Sequence, residues 1–299
     1  MTQTLSPAGR RLWLTDYDGT IRPIDPQASV AQADLAALKR LGAEGWLRAV
    51  VTGRSLFSFA TAWEPGLELD WLIFSSGAGL CPWGPLGPEA LLAASVFTPS
   101  EAETALPAAL DLNFGFFAYL APPDCHHFYY QAPPPAGAPA GFSLRLSTYA
   151  AQSRPWPRDY FQRNPGDRPS LSQLLIMVPT AEAARAEAFF ADRAPHLSRL
   201  WSVSPFGDGC QWLEVLPPGV SKGRAAAALA ARLGLDRSLT VASGNDHNDR
   251  DLLAWAGRAF VTRDAPRDLA ELYPTIPPAG EGGLAEAVAL VLGATPGRG

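Results

Sequence analysis

Short apolar runs that stop abruptly at polar or glycine-containing turns recur along the chain. Residues 11–15 lead into Asp16, 47–51 into Thr52-Gly53-Arg54, 71–74 into Ser75-Ser76-Gly77, and 239–242 into Ser243-Gly244-Asn245. Runs that are apolar at consecutive positions mark strands buried on both faces, as in a parallel sheet. Residues 259–261 supply a fifth such run. Between the runs the apolar positions take a helical period, with Leu35, Leu38 and Leu41 inside 30–41, then 223–235, 249–255 and 283–292. Strand alternating with helix predicts an α/β fold with a doubly wound, Rossmann-like parallel sheet.

The middle of the chain is patterned differently. Residues 114–120, 126–131, 142–148 and 174–178 are β-prone and alternating, and helical patterns at 99–112 and 181–193 accompany them. Strands and helices lying between two α/β halves predict an inserted α+β cap domain. The expected division is a core in two parts, 1–81 and 206–299, interrupted by a cap over 82–205. Within the insert, 132–141 is almost wholly Pro, Ala and Gly, and 154–169 is rich in Pro and Arg, so both read as mobile loops.

Composition narrows the function classes. With 47% hydrophobic and 18% charged residues in 299, the chain is neither disordered nor a disulfide-stapled miniprotein. Its formal net charge is −5 and no run of five basic residues occurs, which disfavours sequence-independent nucleic-acid binding. Cys81, Cys125 and Cys210 are odd in number and widely spaced, as expected of reduced, buried thiols. No apolar stretch approaches ~18 residues, so neither export nor membrane spanning is expected, and the cytoplasm is the expected compartment. The oligomeric state is not legible.

In an open parallel sheet, ligands bind beyond the carboxyl ends of the strands. Polar side chains cluster at those ends here. Asp16-Tyr17-Asp18-Gly19-Thr20 places two carboxylates in an i, i+2 relation after the first strand. Such a pair suits phosphoryl transfer, in which one ionised carboxylate attacks phosphorus and the other, protonated, serves the leaving oxygen and then water. Thr52, Gly53 and Arg54 offer a hydroxyl, backbone N–H groups and a cation beside a helix start, which is an anion site. Lys222 precedes an Ala-rich helix, and only it and Lys39 are Lys among 24 basic residues. A compact ammonium retained there suits a phosphate and the charge developing on it. Gly244-Asn245-Asp246-His247-Asn248-Asp249 supplies clustered oxygen donors, which a hard divalent cation prefers.

Taken together these segments resemble the haloacid dehalogenase-like superfamily, whose four motifs are DxDGT, a Ser or Thr, a Lys, and GDxxND. The position of the insert is similar to that in the large α+β cap (C2B, Cof-type) subgroup, which includes sucrose-, trehalose- and mannosyl-phosphoglycerate phosphatases. The resemblance implies a phosphatase acting on a small phosphorylated molecule, a sugar phosphate foremost, through an aspartyl-phosphate. Asp16 would be the nucleophile and Asp18 the acid/base. Thr52, Gly53, Arg54, Lys222 and Asn248 would bind phosphate, and Mg2+ would be held by Asp16, the Asp18 carbonyl and a subset of Asn245, Asp246 and Asp249. A cap closing over the site would select the leaving group, with Arg154, Trp156, Arg158, Tyr160, Phe161 and Arg163 suited to sugar faces and anions.

Two positions depart from the family pattern. Asn245 stands where the first Asp of GDxxND is usual, removing one negative charge, and Ser76 stands where many relatives carry Asn before Gly-Ala. Other readings stay open. A phosphomutase shares the same intermediate, and a binder without turnover is suggested by Asn245. Gly219-Val220-Ser221-Lys222-Gly223 also matches the GxSxG elbow of serine hydrolases, although Pro217-Pro218 separates it from the preceding strand-like segment. A dinucleotide fingerprint fails, because Pro82 replaces the third Gly after Gly77 and Gly79. His126-His127 have the chemistry of metal ligands but open an aromatic β pattern, so a cap strand is expected there.

Overall fold

The computed structural model of the chain describes residues 10–25, 27–84, 87–134, 139–204 and 206–293. They form two compact units. The first comprises the described residues within 1–54, 59–93 and 221–299, and the second those within 55–58 and 94–220.

The sheet of the first unit runs, in spatial order, β15 (Thr275–Ile276), β14 (Arg258–Thr262), β13 (Thr240–Gly244), β1 (Arg11–Thr15), β2 (Trp46–Val51), β3 (Trp71–Phe74), β4 (Gly79–Gly84) and β5 (Gly87–Pro88), with β6 (Ala93–Ala94) also paired to β4. From β15 to β3 every pairing is parallel, and β4 and β5 then add an antiparallel edge. All five strands expected from the apolar runs are present, and the fold is α/β with a parallel core.

The central strand explains its sequence. Leu12 and Leu14 point to one face, into a core completed by Ala226, Leu229 and Ala230 of α7 (Lys222–Arg232) and by Leu252 and Leu253 of α8 (Arg250–Trp255). Trp13 points the other way and stacks on Phe260, ring centroids 6.4 Å apart. Both faces of β1 are thus buried, which is why its apolar residues are consecutive. Helices α1 (Gln32–Ala43) and α10 (Gly283–Leu292) pack on one another. The buried carboxylate of Asp34 on α1 accepts a hydrogen bond at 2.9 Å from the Ala285 N–H in the first turn of α10.

The second unit carries a sheet in the order β11 (Ser198–Val203), β12 (Cys210–Leu216), β10 (Leu171–Pro179), β7 (Phe116–Leu120), β8 (Phe128–Gln131) and β9 (Ser153–Pro155), antiparallel except between β8 and β9. Alternation decides its two faces. Phe116, Leu174 and Ile176 pack with α3 (Pro99–Leu112) and α6 (Ala183–Arg193) through Leu106, Ala109 and Phe190. Phe117, Leu175 and Met177 face the opposite way, toward Phe142 of α4 (Ala140–Thr148).

The structure corrects several expectations. Residues 142–148 are helical rather than a strand: Phe142, Leu146 and Tyr149 share one packed stripe at i, i+4 and i+7, while Leu144 is 49% exposed. The segment 154–169 contains the end of β9, α5 (Arg158–Arg163) and a 3-10 turn at Pro165–Asp167 rather than one loop. The other expected loop, 132–141, lies partly outside the described residues, at 135–138. The second unit is also displaced along the chain from the expected 82–205. Gly79–Gly84 pairs back onto β3, so the expected boundary after 81 cuts through it, and Cys210–Leu216, expected in the core, pairs with β10. Short helices α2 (Leu56–Thr61) and α9 (Arg267–Ala270) were not anticipated. Among the described residues, no helix is long and apolar enough to cross a membrane.

Candidate active site

The site assembles at the carboxyl ends of β1, β2, β3 and β13. Asp16 directly follows β1; its N–H donates to the Ser243 carbonyl on β13 (2.9 Å), and its own carbonyl accepts from the Thr15 hydroxyl (2.8 Å). The chain then turns sharply. The Ile21 and Arg22 N–H groups donate to the Tyr17 carbonyl, and Gly19 takes φ +79°. A Cβ at Gly19 would also stand 2.2 Å from the Asn245 amide, so both conformation and space require glycine there.

The two carboxylates meet different cations. Asp16 Oδ1 accepts from Lys222 Nζ at 2.7 Å, and Nζ also donates to Asp249 Oδ1 at 2.6 Å and to Asn248 Oδ1 at 3.4 Å. Lys222 and Asp249 are fully buried, Asp16 nearly so. Burial raises the Asp16 carboxyl to about 7, the Asp249 charge adds to the rise, and Lys222 opposes it. Burial works against the Lys222 ammonium, but the two carboxylates outweigh it and hold its pKa above the usual value. Two buried carboxylates sharing one ammonium leave the cluster one positive charge short. Asp18 is more exposed, and Arg54 grips it with Nε to Oδ2 at 2.6 Å and Nη2 to Oδ1 at 2.7 Å, a bidentate pair that fixes the carboxylate plane.

A second convergence lies on the other side of Asp16. Its Oδ2 accepts from the Thr20 hydroxyl at 3.1 Å. The inward end of the Asn245 side-chain amide stands 3.2 Å from each of Asp16 Oδ2, the Asp18 carbonyl oxygen and Thr20 Oγ1. With its nitrogen inward, Asn245 donates to these acceptors. With its oxygen inward, Asn245 stands 3.2 Å from both Asp16 Oδ2 and the Asp18 carbonyl oxygen, close to the roughly 3.0 Å that octahedral Mg2+ imposes on neighbouring ligands. The donor set therefore fits a hard divalent cation.

Of the residues expected from sequence, the structure brings Asp16, Lys222, Asn248 and Asp249 into one buried cluster and Asp16, the Asp18 carbonyl and Asn245 into another. Three placements differ from expectation. Arg54 pairs with Asp18 rather than standing open toward a phosphate. Asp249 is engaged on both oxygens, Oδ1 by Lys222 and Oδ2 by the N–H groups of Asn245 and Asp246 (2.9 and 3.2 Å), so it orients Lys222 and the loop. Asp246 caps the following turn, its Oδ1 accepting from the His247 N–H at 2.7 Å. Thr52 is buried at the end of β2, its Oγ1 accepting from the Arg54 N–H, and Gly53 is exposed beside it. Ser221, the alternative nucleophile, is the N-cap of α7, its Oγ accepting from the Arg224 N–H at 3.3 Å.

Two features escaped the sequence reading. Thr20 holds the far oxygen of Asp16, and its place directly after Asp-x-Asp-Gly was the available signal. At the end of β3, Ser75 and Ser76 both adopt the left-handed region (φ 49° and 53°), at about 1–3 kcal/mol each. Their N–H groups donate to the Arg54 and Thr52 carbonyls, and Gly77 packs so closely that a Cβ would lie 2.4 Å from the Ser221 carbonyl oxygen. This strained turn ties the Thr52 loop to the start of α7, and nothing in Ser-Ser announces it.

The profile of the haloacid dehalogenase-like hydrolases matches residues 13–287. HMP-PP phosphatases from Cronobacter sakazakii and Citrobacter koseri are 46% identical over 66 residues and 44% over 108, or 22% and 36% of this chain. The matched stretches span 24% and 34% of those relatives. A phosphatase from Bacteroides thetaiotaomicron superimposes over 98% of this chain and 99% of its own, with a TM-score of 0.72 at 17% identity. A subclass IIB sugar phosphatase does so over 95% and 99%, with a TM-score of 0.70 at 15% identity. The structural likenesses show the same fold, and the profile spans both units: the chain belongs to the haloacid dehalogenase-like hydrolase family.

Proposed function

We propose that the chain hydrolyses a small phosphomonoester in two steps. Asp16 attacks phosphorus, the ester P–O bond breaks, and the departing oxygen takes a proton from Asp18. Asp18 then removes a proton from water, whose oxygen attacks the aspartyl-phosphate and releases inorganic phosphate and the Asp16 carboxylate. Lys222, Thr52, the Gly53 backbone and Asn248 bind the phosphoryl oxygens, and Arg54 keeps Asp18 aimed. Asp16, the Asp18 carbonyl and Asn245 would hold Mg2+, which when bound supplies positive charge to the phosphoryl oxygens. The observation that carries this reading is the buried Lys222 ammonium, 2.7 Å from Asp16 at the end of the central strand.

A sugar phosphate is the substrate class to test first. A structural neighbour is a sugar phosphatase and the sequence relatives carry the name HMP-PP phosphatase, so HMP-PP belongs in the same panel. Inorganic phosphate released with magnesium present, and abolished both by chelator and in Asp16→Asn, is the expected result. Asp16→Asn keeps side-chain volume, so a folded variant with undiminished turnover would overturn the mechanism.

A further inference from the structure

The second unit carries a separate group of ligand-type side chains. Asp124, His126 and His127 lie in the connection from β7 to β8, and one carboxylate oxygen and one ring nitrogen from each His all fall within 4.8 Å of one another. The sequence pattern placed both His in a strand. In the structure β8 starts at Phe128, and the two His sit in a turn closed by the His127 N–H on the Asp124 carbonyl (2.9 Å).

The turn is framed on both sides. The Leu120 N–H donates to the His127 carbonyl, Tyr119 pairs with Phe128, and the Ala121 N–H donates to the Ser170 carbonyl. Cys125, between the ligand-type residues in sequence, is buried, and its thiol donates to the Pro123 carbonyl at 3.8 Å. The two imidazoles lie with centroids 4.0 Å apart. Among the described residues His126 Nδ1 is buried with no hydrogen-bond partner, a condition that calls for a ligand or water. Asp124 is exposed and both His are partly exposed, so an ion can enter from solvent.

We propose that Asp124, His126 and His127 form a binding site for a borderline-soft divalent cation of the zinc type, completed by water. Two neutral imidazoles and one carboxylate are a common ligand set for such ions, whereas magnesium favours all-oxygen sites. The spacing of the three ligand atoms, up to 4.8 Å, is wider than the roughly 3.3 Å between ligands of a tetrahedral zinc ion, so binding would require the side chains to turn inward. The ion would clamp the β7–β8 turn and is independent of the Asp16 site.

The test is zinc titration of the metal-stripped full-length chain by calorimetry, repeated on Asp124→Asn, His126→Ala, His127→Ala and Asp16→Asn. Cobalt(II) absorption serves as a second readout. With magnesium in excess to occupy the Asp16 site, one equivalent of zinc is expected, with affinity falling roughly tenfold or more in each of the three turn variants and unchanged in Asp16→Asn. Zinc should raise the melting temperature of the parent chain and not that of His127→Ala. Should a His variant misfold by circular dichroism, the surface substitution Asp124→Asn and the cobalt spectrum still decide. Absence of zinc binding, or binding lost in Asp16→Asn and kept in the turn variants, overturns the proposal.

Discussion

Lys222 is the residue on which the candidate site turns, because it is the shared cation of two buried carboxylates. Its raised pKa means that the stability it contributes is present throughout the neutral range and lost only at strongly alkaline pH. Replacing it with Met leaves Asp16 and Asp249 buried without their cation, and removal of one partner from such a group costs about 3–5 kcal/mol. Lys222→Met is expected to lose that much stability at pH 8 by urea denaturation. The deficit should narrow on acidification, as the stranded carboxyls take up protons. Asn245 has the opposite character. It supplies an oxygen without a charge, so Asn245→Asp restores a carboxylate at the point where Asp16 and Asp18 converge. Magnesium affinity measured by calorimetry should then rise by roughly tenfold or more, since ligand charge is a main determinant of affinity for hard cations. An unchanged affinity would show that the ion does not meet residue 245.

At the scale of elements, Asp34 joins two helices at a cost. One of its oxygens caps the start of α10, while the other is buried without a partner among the described residues, and burial raises its pKa to about 6 against the backbone hydrogen bonds that lower it. The folded state therefore holds this proton more tightly than the unfolded chain. Ionisation between about pH 4 and 6 removes stability, and the loss is complete above pH 6. Asp34→Asn keeps the acceptor for Ala285 and removes the charge. It should be about 1–2 kcal/mol more stable than the parent at pH 8 and no more stable at pH 4, read from denaturation midpoints. Elements also differ in how legible they were. The core strands could be read directly because burial on both faces leaves consecutive apolar residues. The stretch around Phe142, Leu144 and Leu146 could not, because alternate apolar residues over so short a run satisfy a strand period and nearly a helical one. Packing of Phe142 and Leu146 against the sheet decided for helix and left Leu144 in water.

At the scale of the whole molecule, the switch from apolar runs to alternating strands revealed an insertion, yet its edges were hidden because only pairing assigns β4 to the sheet of β3 and β12 to that of β10. The chemistry was legible for a related reason: a parallel sheet gathers its strand ends, so Asp16, Thr52, Lys222 and Asn245 meet although up to 229 positions separate them. What could not be read was orientation, such as Arg54 turning to Asp18 or Asp249 to Lys222, since that is settled by neighbours remote in sequence. The finished fold keeps separate cores in its two units, one around Leu12 and Leu229, another around Leu174 and Phe190. Phe190 is fully buried, and Phe190→Ala removes a ring from the second core alone, at about 3–5 kcal/mol. Calorimetry of this variant should show the second unit melting earlier, as a transition split from that of the first. The first unit's transition should still rise on adding magnesium, because the residues that would hold the ion all belong to it. A single transition lowered as a whole, with the magnesium response lost, would mean that the two cores fold as one cooperative body and that the site depends on both.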